Sequence, residues 1–431
     1  MILRRSRSPL SASLKAIRMP IQTSPPLTSQ SLNGTTRVLS SAPVSQPTST
    51  GTPAAMTDDR CLRSMDELLT VLRSQRVKSL FAVVDAGAYR HSGAEEKLAE
   101  IFSEFPVTCF DQFEPNPKSH DVLSGIQLFR ESGADLVIAI GGGSAIDIAK
   151  VIAATAEETA SLEDLILRRA PFTAQAVPLI AIPTTSGTGS EATQFAVVYI
   201  DGAKHSLDDP RLLPDWCVLD SQLTHKLPRS ITANTGLDAF CQAVESLWSA
   251  RSTESSMRQA TEAATLAFRH LQQAVQQGTP EAREALSRAS HLAGRAIQQT
   301  RTTASHAVSY TLTSEHGIPH GHAVALTLGA MLEHNAAVTE ADCNDPRGPE
   351  HVRASIRRIL TLLNCETAKQ GRERIETWIR SLGCQTRLHE LGISGRGTME
   401  QIATKTNAER LGNNPRLVTH SQLITILESI Q

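Results

Sequence analysis

Asp238 and Gln242 stand four residues apart in Thr235-Gly-Leu-Asp-Ala-Phe-Cys-Gln-Ala-Val-Glu245, a spacing that sets both on one face of a helix. Farther along, His306 lies in the helix-like Ala304-Ser-His-Ala-Val-Ser-Tyr310. Glu315-His316-Gly-Ile-Pro-His320-Gly-His322 follows, bent by Gly317 and Pro319. A single histidine is more often a surface or core residue. Imidazoles gathered in two short segments, with a carboxylate on a rigid helix elsewhere, have the composition of a divalent-metal site.

A second chemistry is written upstream. Gly141-Gly-Gly-Ser-Ala-Ile-Asp-Ile-Ala-Lys150 follows an apolar run, 134–140, broken only by Asp135, and leads into a small-residue helical pattern. Strand, glycine turn and helix together place bare backbone N–H groups and a helix N-terminus before a phosphate. Ile182-Pro-Thr-Thr-Ser-Gly-Thr-Gly-Ser190-Glu191 repeats the arrangement after the apolar run 177–182. Asp85 ends the run Leu80-Phe-Ala-Val-Val84 and can accept ribose hydroxyls while repelling a 2′-phosphate. The same spacing suits an Asp that caps the next helix. Asn116, in Glu114-Pro-Asn-Pro117, reads as a turn residue on a rigid loop.

The elements that must position these residues change character along the chain. Apolar runs at 79–84, 107–110, 136–140, 179–182, 195–200 and 217–219 predict strands. The segments between them, 65–76, 94–105, 120–132 and 145–156, carry helical periodicity. That alternation implies a mostly parallel α/β sheet. Beyond residue 223 the strand signal nearly vanishes, and 238–249, 255–276, 280–299, 304–313, 321–334, 352–363, 375–382, 399–404 and 420–429 predict helices. The expected organisation is a nucleotide-binding α/β domain at 58–220 and an all-helical, metal-binding domain at 221–431.

Bulk properties exclude several classes. The 431 residues are enough for two cores, and a net charge of -2 offers no basic field for nucleic acid. No stretch approaches a membrane span, and the seven cysteines form no CxxC pair and no disulfide spacing. A soluble, cytoplasmic protein is the expectation. Residues 1–57 differ: they hold six basic residues and no acid among many Ser, Thr and Pro. They should be disordered, either as a non-functional extension or as an organelle-targeting leader.

The chain resembles the iron-containing (group III) alcohol dehydrogenase family. The matching elements are Pro115-Asn-Pro117, Gly141 to Lys150, Thr184-Thr-Ser-Gly-Thr-Gly-Ser-Glu191, Thr235-Gly-Leu-Asp238, His306 and Pro319-His320-Gly321, in family order across 65–431. Gln242, Glu245-Ser-Leu-Trp-Ser249, Thr302 to Tyr310 and Pro319-His-Gly-His322 are similar to its phosphonoacetaldehyde reductase branch. The resemblance implies a Rossmann-like parallel sheet followed by a helical domain (the dehydroquinate synthase-like fold), with the active site in the cleft between them. It assigns Asp85 to the adenosine ribose, Asn116 to the cofactor cleft, and Gly142, Gly143 and Ser144 to the pyrophosphate. Thr184, Thr185 and Lys204 fall along the nicotinamide half.

Asp238, His306 and His320 match three metal ligands. The fourth place, usually His, is Gln242, whose amide oxygen is a harder and weaker donor than imidazole. Tyr310 stands where the family often has another His, so a proton relay there would use Tyr310 or His316. The implied activity is reduction of a small aldehyde with NAD(P)H, NADH being favoured by Asp85, and with Fe2+ or Zn2+ as Lewis acid. Phosphonoacetaldehyde, reduced to 2-hydroxyethylphosphonate, is the expected substrate, with Arg301 as the cationic partner of the phosphonate or else a solvated helix charge. The alternatives are a lactaldehyde-type reductase, a lyase like dehydroquinate synthase, or a metal-free cofactor-binding protein. The family is expected to be oligomeric and opens with a strand that residues 33–63 do not convincingly supply.

Overall fold

The computed structural model describes residues 60–431 except Asn407; the expected disordered leader, 1–57, lies outside them. The described residues belong to one compact unit, Thr52–Gln431. Its strands are β1 (Cys61–Leu62), β2 (Leu80–Val84), β3 (Val107–Phe110), β4 (Leu136–Gly141), β5 (Leu179–Pro183), β6 (Phe195–Ile200), β7 (Ala203–Asp208) and β8 (Trp216–Val218). Six of them form a sheet in the order β1-β8-β5-β4-β2-β3, parallel throughout.

Both faces of this sheet are covered, which is why its strands read as unbroken apolar runs. Phe81, Val83, Val137 and Ala139 face one core with Ile148 and Ile152. Leu80, Ala82, Val84, Ile138 and Ile140 face another with Leu68, Leu72 and Leu98. The register sets Val84 beside Ile140 and Gly141 beside Pro183, so the ends of β2, β4 and β5 are level. The two glycine turns therefore emerge side by side, Thr184 N–H donating to the Gly141 carbonyl at 2.9 Å. This carboxyl edge, where the strand order reverses between β2 and β4, is where open α/β sheets bind ligands. At Gly141 a Cβ would fall 2.7 Å from that of Ala145 and 2.9 Å from that of Asp85, so only glycine fits this turn.

The structure corrects two expectations about the sheet. The segment 195–200 is a strand but not part of the parallel sheet: β6 pairs antiparallel with β7 through Asp201-Gly202. Both turn residues have positive φ, 48° and 79°, the signature of a tight hairpin turn. Side chains of the glycine-turn helix Gly143–Thr155 take up backbone groups of β6. Asp147 accepts from Val197 N–H at 3.0 Å, and Lys150, fully buried, donates to the Phe195 carbonyl at 2.7 Å. An opening strand also exists. β1 is only two residues long and pairs with β8 alone, too short to leave a periodic signal.

After β8 the described chain is helical. The helices that matter for the site are Arg229–Trp248, Pro280–Thr300, Ala304–His316 and His320–Ala336. The first begins well before the expected Asp238, because the polar stretch from Arg229 packs without a periodic apolar stripe. Phe240, Val244, Leu247 and Trp248 anchor it in the helical core.

Candidate functional site

Asp238, Gln242 and Glu245 lie on successive turns of helix Arg229–Trp248, all buried. Glu245 is fully enclosed, and its carboxylate caps the N-terminus of helix Ala304–His316. It accepts from the backbone N–H groups of Thr303 (3.0 Å), Ser305 (2.8 Å) and His306 (3.3 Å). A helix start leaves these donors without intrahelical partners and carries partial positive charge, so a buried carboxylate is stabilised there. The same carboxylate bonds Nδ1 of His306, leaving Nε2 at 3.3 Å from Asp238 Oδ1.

His320 is the first residue of helix His320–Ala336, behind Pro319. That helix starts in direct contact with helix Arg229–Trp248: a Cβ on Gly321 would lie 1.8 Å from the Asn234 carbonyl oxygen. The close approach brings His320 Nε2 to 3.9 Å from Asp238 Oδ1. One donor atom each from Asp238, His306 and His320 falls within 4.8 Å of the others.

Gln242 adds the fourth group. Its amide nitrogen donates to the Thr188 carbonyl at 3.2 Å, and its Oε1 is buried with no partner. A buried acceptor left unmatched is costly unless something binds it. Two imidazoles, a carboxylate and an amide oxygen form a donor set suited to Fe2+ or Zn2+, and the orphaned oxygen fits that ion.

Electrostatics separates the two histidines. Burial disfavours a charged His306, but Glu245 and Asp238 overcome it and push its pKa up to about 10. Burial, aided by the cations Lys204 and His306 against Asp238, pushes His320 down to about 4, so its ring is neutral and able to ligate. Tyr310 sits one turn beyond His306, with the Lys204 ammonium 3.7 Å from its ring centre and its ring nearly parallel to His320. Burial raises its hydroxyl pKa, yet Lys204, Arg410 and His306 together bring it below the ordinary tyrosine value.

These residues face one cavity of about 310 Å³. Its walls include Asn116, Gly143 and Ser144 from the glycine-turn side and Asp238, Gln242, His306 and His320 from the helical side. Lys204, Tyr310 and Arg410 line it as well. Asn116 holds its place with φ at 65° and its N–H directed to Ser144 Oγ at 3.3 Å. Asp85, Gly142, Thr184 and Thr185 lie beside it at the strand ends rather than in its wall. Gly142 caps helix Gly143–Thr155, and Asp85 caps helix Ala86–Ser92 through Ala88 N–H at 2.9 Å.

Two expected site residues stand elsewhere. His316 is exposed at the far end of its helix; ten residues past His306 amounts to about 15 Å along the axis. Arg301 is outside the cavity wall. Its guanidinium donates to Asp208 at 2.7 Å and stacks over Phe195 at 4.1 Å, clamping the β6–β7 hairpin. In turn, the sequence reading missed roles for Glu245, Thr188 and Arg410. Glu245 was within reach, two turns beyond Asp238 on the same face. Arg410 comes from the short helix Ala408–Gly412, which has no periodic signal at all.

Comparison with known proteins gives concordant matches. Residues 53–221 match the family described as iron-containing alcohol dehydrogenase, and 232–431 match the C-terminal part of the same family. A phosphonoacetaldehyde reductase of Streptomyces viridochromogenes is 40% identical over 324 residues, 72% of this chain and 80% of that protein. A 1-propanol dehydrogenase of Salmonella typhimurium is 34% identical over 63% of this chain and 71% of its own length. The crystal structure of a sulfoacetaldehyde reductase from Bifidobacterium kashiwanohense in complex with NAD+ superposes with a TM-score of 0.76 at 28% identity. It covers 86% of this chain and 96% of that one.

Proposed function

Because this chain belongs to the iron-containing alcohol dehydrogenase family, an NAD-linked and metal-dependent family of aldehyde reductases and alcohol dehydrogenases, we propose that it reduces phosphonoacetaldehyde to 2-hydroxyethylphosphonate with NADH. The observation that carries this reading is the shared cavity: two cationic side chains, Lys204 and Arg410, stand in the same wall as Asp238, His306 and His320. A small aldehyde with a phosphonate two carbons from its oxygen can meet both groups at once. Two of the similar proteins carry names of aldehydes with such an anion, one a phosphonate and one a sulfonate.

A divalent ion at this site supplies Lewis acidity to the aldehyde oxygen, and bound NADH supplies the hydride. Asp238, His306, His320 and Gln242 Oε1 would hold the ion. Glu245 fixes the His306 ring so that Nε2 is its ligating nitrogen. The N–H groups at the start of helix Gly143–Thr155, with Ser144, receive the pyrophosphate, bordered by Thr184 and Thr185. Asp85 receives the adenosine ribose. Lys204 and Arg410 take the phosphonate through charge-assisted hydrogen bonds. Tyr310, in the same cavity wall as His320, passes its hydroxyl proton to the product oxygen and recovers it from solvent. The cytoplasm suits such an enzyme, since none of its seven cysteines is in a disulfide.

The test is NADH oxidation by the metal-loaded protein with phosphonoacetaldehyde and with propanal. We expect kcat/KM for phosphonoacetaldehyde to be higher by about a hundredfold, the worth of two charge-assisted contacts. Equal or better turnover of propanal would overturn the substrate assignment. An absence of any aldehyde-dependent oxidation would overturn the reductase activity itself.

A further inference from the structure

A second group of metal-binding side chains lies apart from the cavity. β1 and β8 pair so that Cys61 stands directly opposite Cys217, and His291 reaches them from helix Pro280–Thr300. One donor atom from each of the three lies within 4.8 Å of the other two. Cys217 and His291 are buried and Cys61 is half-buried. Behind the histidine, Glu191 Oε1 lies 3.3 Å from Nδ1, and this carboxylate is itself buried. An imidazole N–H held by a buried carboxylate keeps the lone pair of Nε2 for an ion, the arrangement by which proteins orient histidine ligands.

We propose that Cys61, Cys217 and His291 bind Zn2+ through two thiolates and one imidazole, with water beside the half-buried Cys61 closing the tetrahedron. Charge favours this ion. Two thiolates balance Zn2+, and the one charge left over, the buried Glu191 carboxylate, is met by the His291 N–H. Binding replaces two S–H protons, which leave to solvent, and no electron changes hands.

The ion would be structural. β1 pairs with a single neighbour over two residues, and Leu219 N–H donating to the Leu62 carbonyl at 2.8 Å is its next tie. Zn2+ would bolt this edge strand to β8 and to a helix of the helical half, and through Glu191 to the second glycine turn.

The test uses the full-length protein, purified under reducing conditions, with its metals exchanged for Co2+. Thiolate ligands give a near-ultraviolet charge-transfer band with Co2+, and the Asp238 site contains no thiolate, so the band reports this site alone. We expect the band in the wild type, its loss in Cys61→Ser, and one zinc equivalent fewer in that variant. Should the variant not fold, wild-type Cys61 and Cys217 are tested directly. They should resist alkylation with Zn2+ bound and react once a chelator is added. Absence of the band, full thiol reactivity in the zinc-loaded protein, or a mass lower by two hydrogens from a Cys61–Cys217 disulfide would each overturn the proposal.

Discussion

Gln242 donates its amide nitrogen to the Thr188 carbonyl at 3.2 Å, tying helix Arg229–Trp248 to the second glycine turn. One bond thus links the two halves of the cavity and decides which end of the amide remains available. The nitrogen is spent on Thr188. The oxygen stays buried and unmatched beside Asp238 and His306. On the proposed reading, this orientation offers the Gln242 oxygen to the ion in place of an imidazole.

Replacing this residue tests that reading. Gln242→Leu removes the oxygen and the tie to Thr188, and metal affinity should fall by about 10- to 100-fold, as for loss of an oriented ligand contact. Gln242→His offers an imidazole and should hold Zn2+ at least as tightly as the wild type. Metal content after dialysis against graded chelator measures both. Unchanged retention in the leucine variant would remove Gln242 from the site.

Glu245 positions His306 without facing the cavity. Glu245→Gln keeps the shape but loses the charge that holds the histidine. Metal affinity should drop by about 10- to 100-fold, the usual effect of losing a histidine's carboxylate partner. Activity should return in part with excess metal while the circular dichroism spectrum stays native. A residue that merely stabilised the helix start would show a lower melting temperature and no recovery with metal.

Much of this site was legible because its parts obey short-range rules. Asp238 and Gln242 share a helix face by spacing alone, and the glycine turns follow continuous apolar strands that burial on both faces demands. What failed depended on tertiary geometry. Residues 195–200 had the right bounds but the wrong sheet, because their backbone groups are taken up by Asp147 and Lys150 from another element. His316 looked close to His320 in sequence, yet it ends one helix while His320 begins the next. Arg301 lost its expected role to Asp208, which is distant in sequence. Arg410 reaches the cavity from a helix too short to announce itself.

Arg410 should set affinity for the anion and leave the chemistry alone. Arg410→Ala is expected to raise KM for phosphonoacetaldehyde by about tenfold or more, the worth of one hydrogen bond to a charged group. Its kcat, and both constants for propanal, should move by less than about threefold. A kcat loss shared by both aldehydes would place Arg410 in a structural role.

Asp342 gives the helical half an acid-sensitive tie. Burial raises its pKa, but Thr339 N–H at 2.7 Å, the Arg416 guanidinium at 2.7 Å and the Thr339 hydroxyl at 2.9 Å hold it down to about 2. A depressed carboxyl pKa adds stability that is complete above the unfolded value near 4 and is lost as pH falls toward 2. Asp342→Asn should therefore melt lower at pH 7, by the equivalent of about 1 kcal/mol for a partly solvated pair. The gap should narrow at pH 3. Thermal scans at the two pH values decide it, and an equal gap at both would mean that the charge is not what matters.

Asp85 caps a helix, and the proposed function adds the adenosine ribose as a second partner; one substitution can distinguish the two. Its side chain caps helix Ala86–Ser92 through Ala88 N–H at 2.9 Å, and its Cβ lies against the Gly141 turn where a ribose would sit. Loss of a cap costs about 1 kcal/mol whatever the cofactor. Loss of a carboxylate facing the ribose changes cofactor choice, because the repulsion of a 2′-phosphate disappears with it. Asp85→Ser retains a capping hydroxyl and removes the charge. Its melting temperature should stay near the wild-type value while the ratio of kcat/KM for NADH over NADPH falls by about tenfold or more, the scale of one charge interaction. Steady-state kinetics with the two cofactors measures that ratio. If it is unchanged, Asp85 is only a cap, and the preference for NADH must come from another part of the turn.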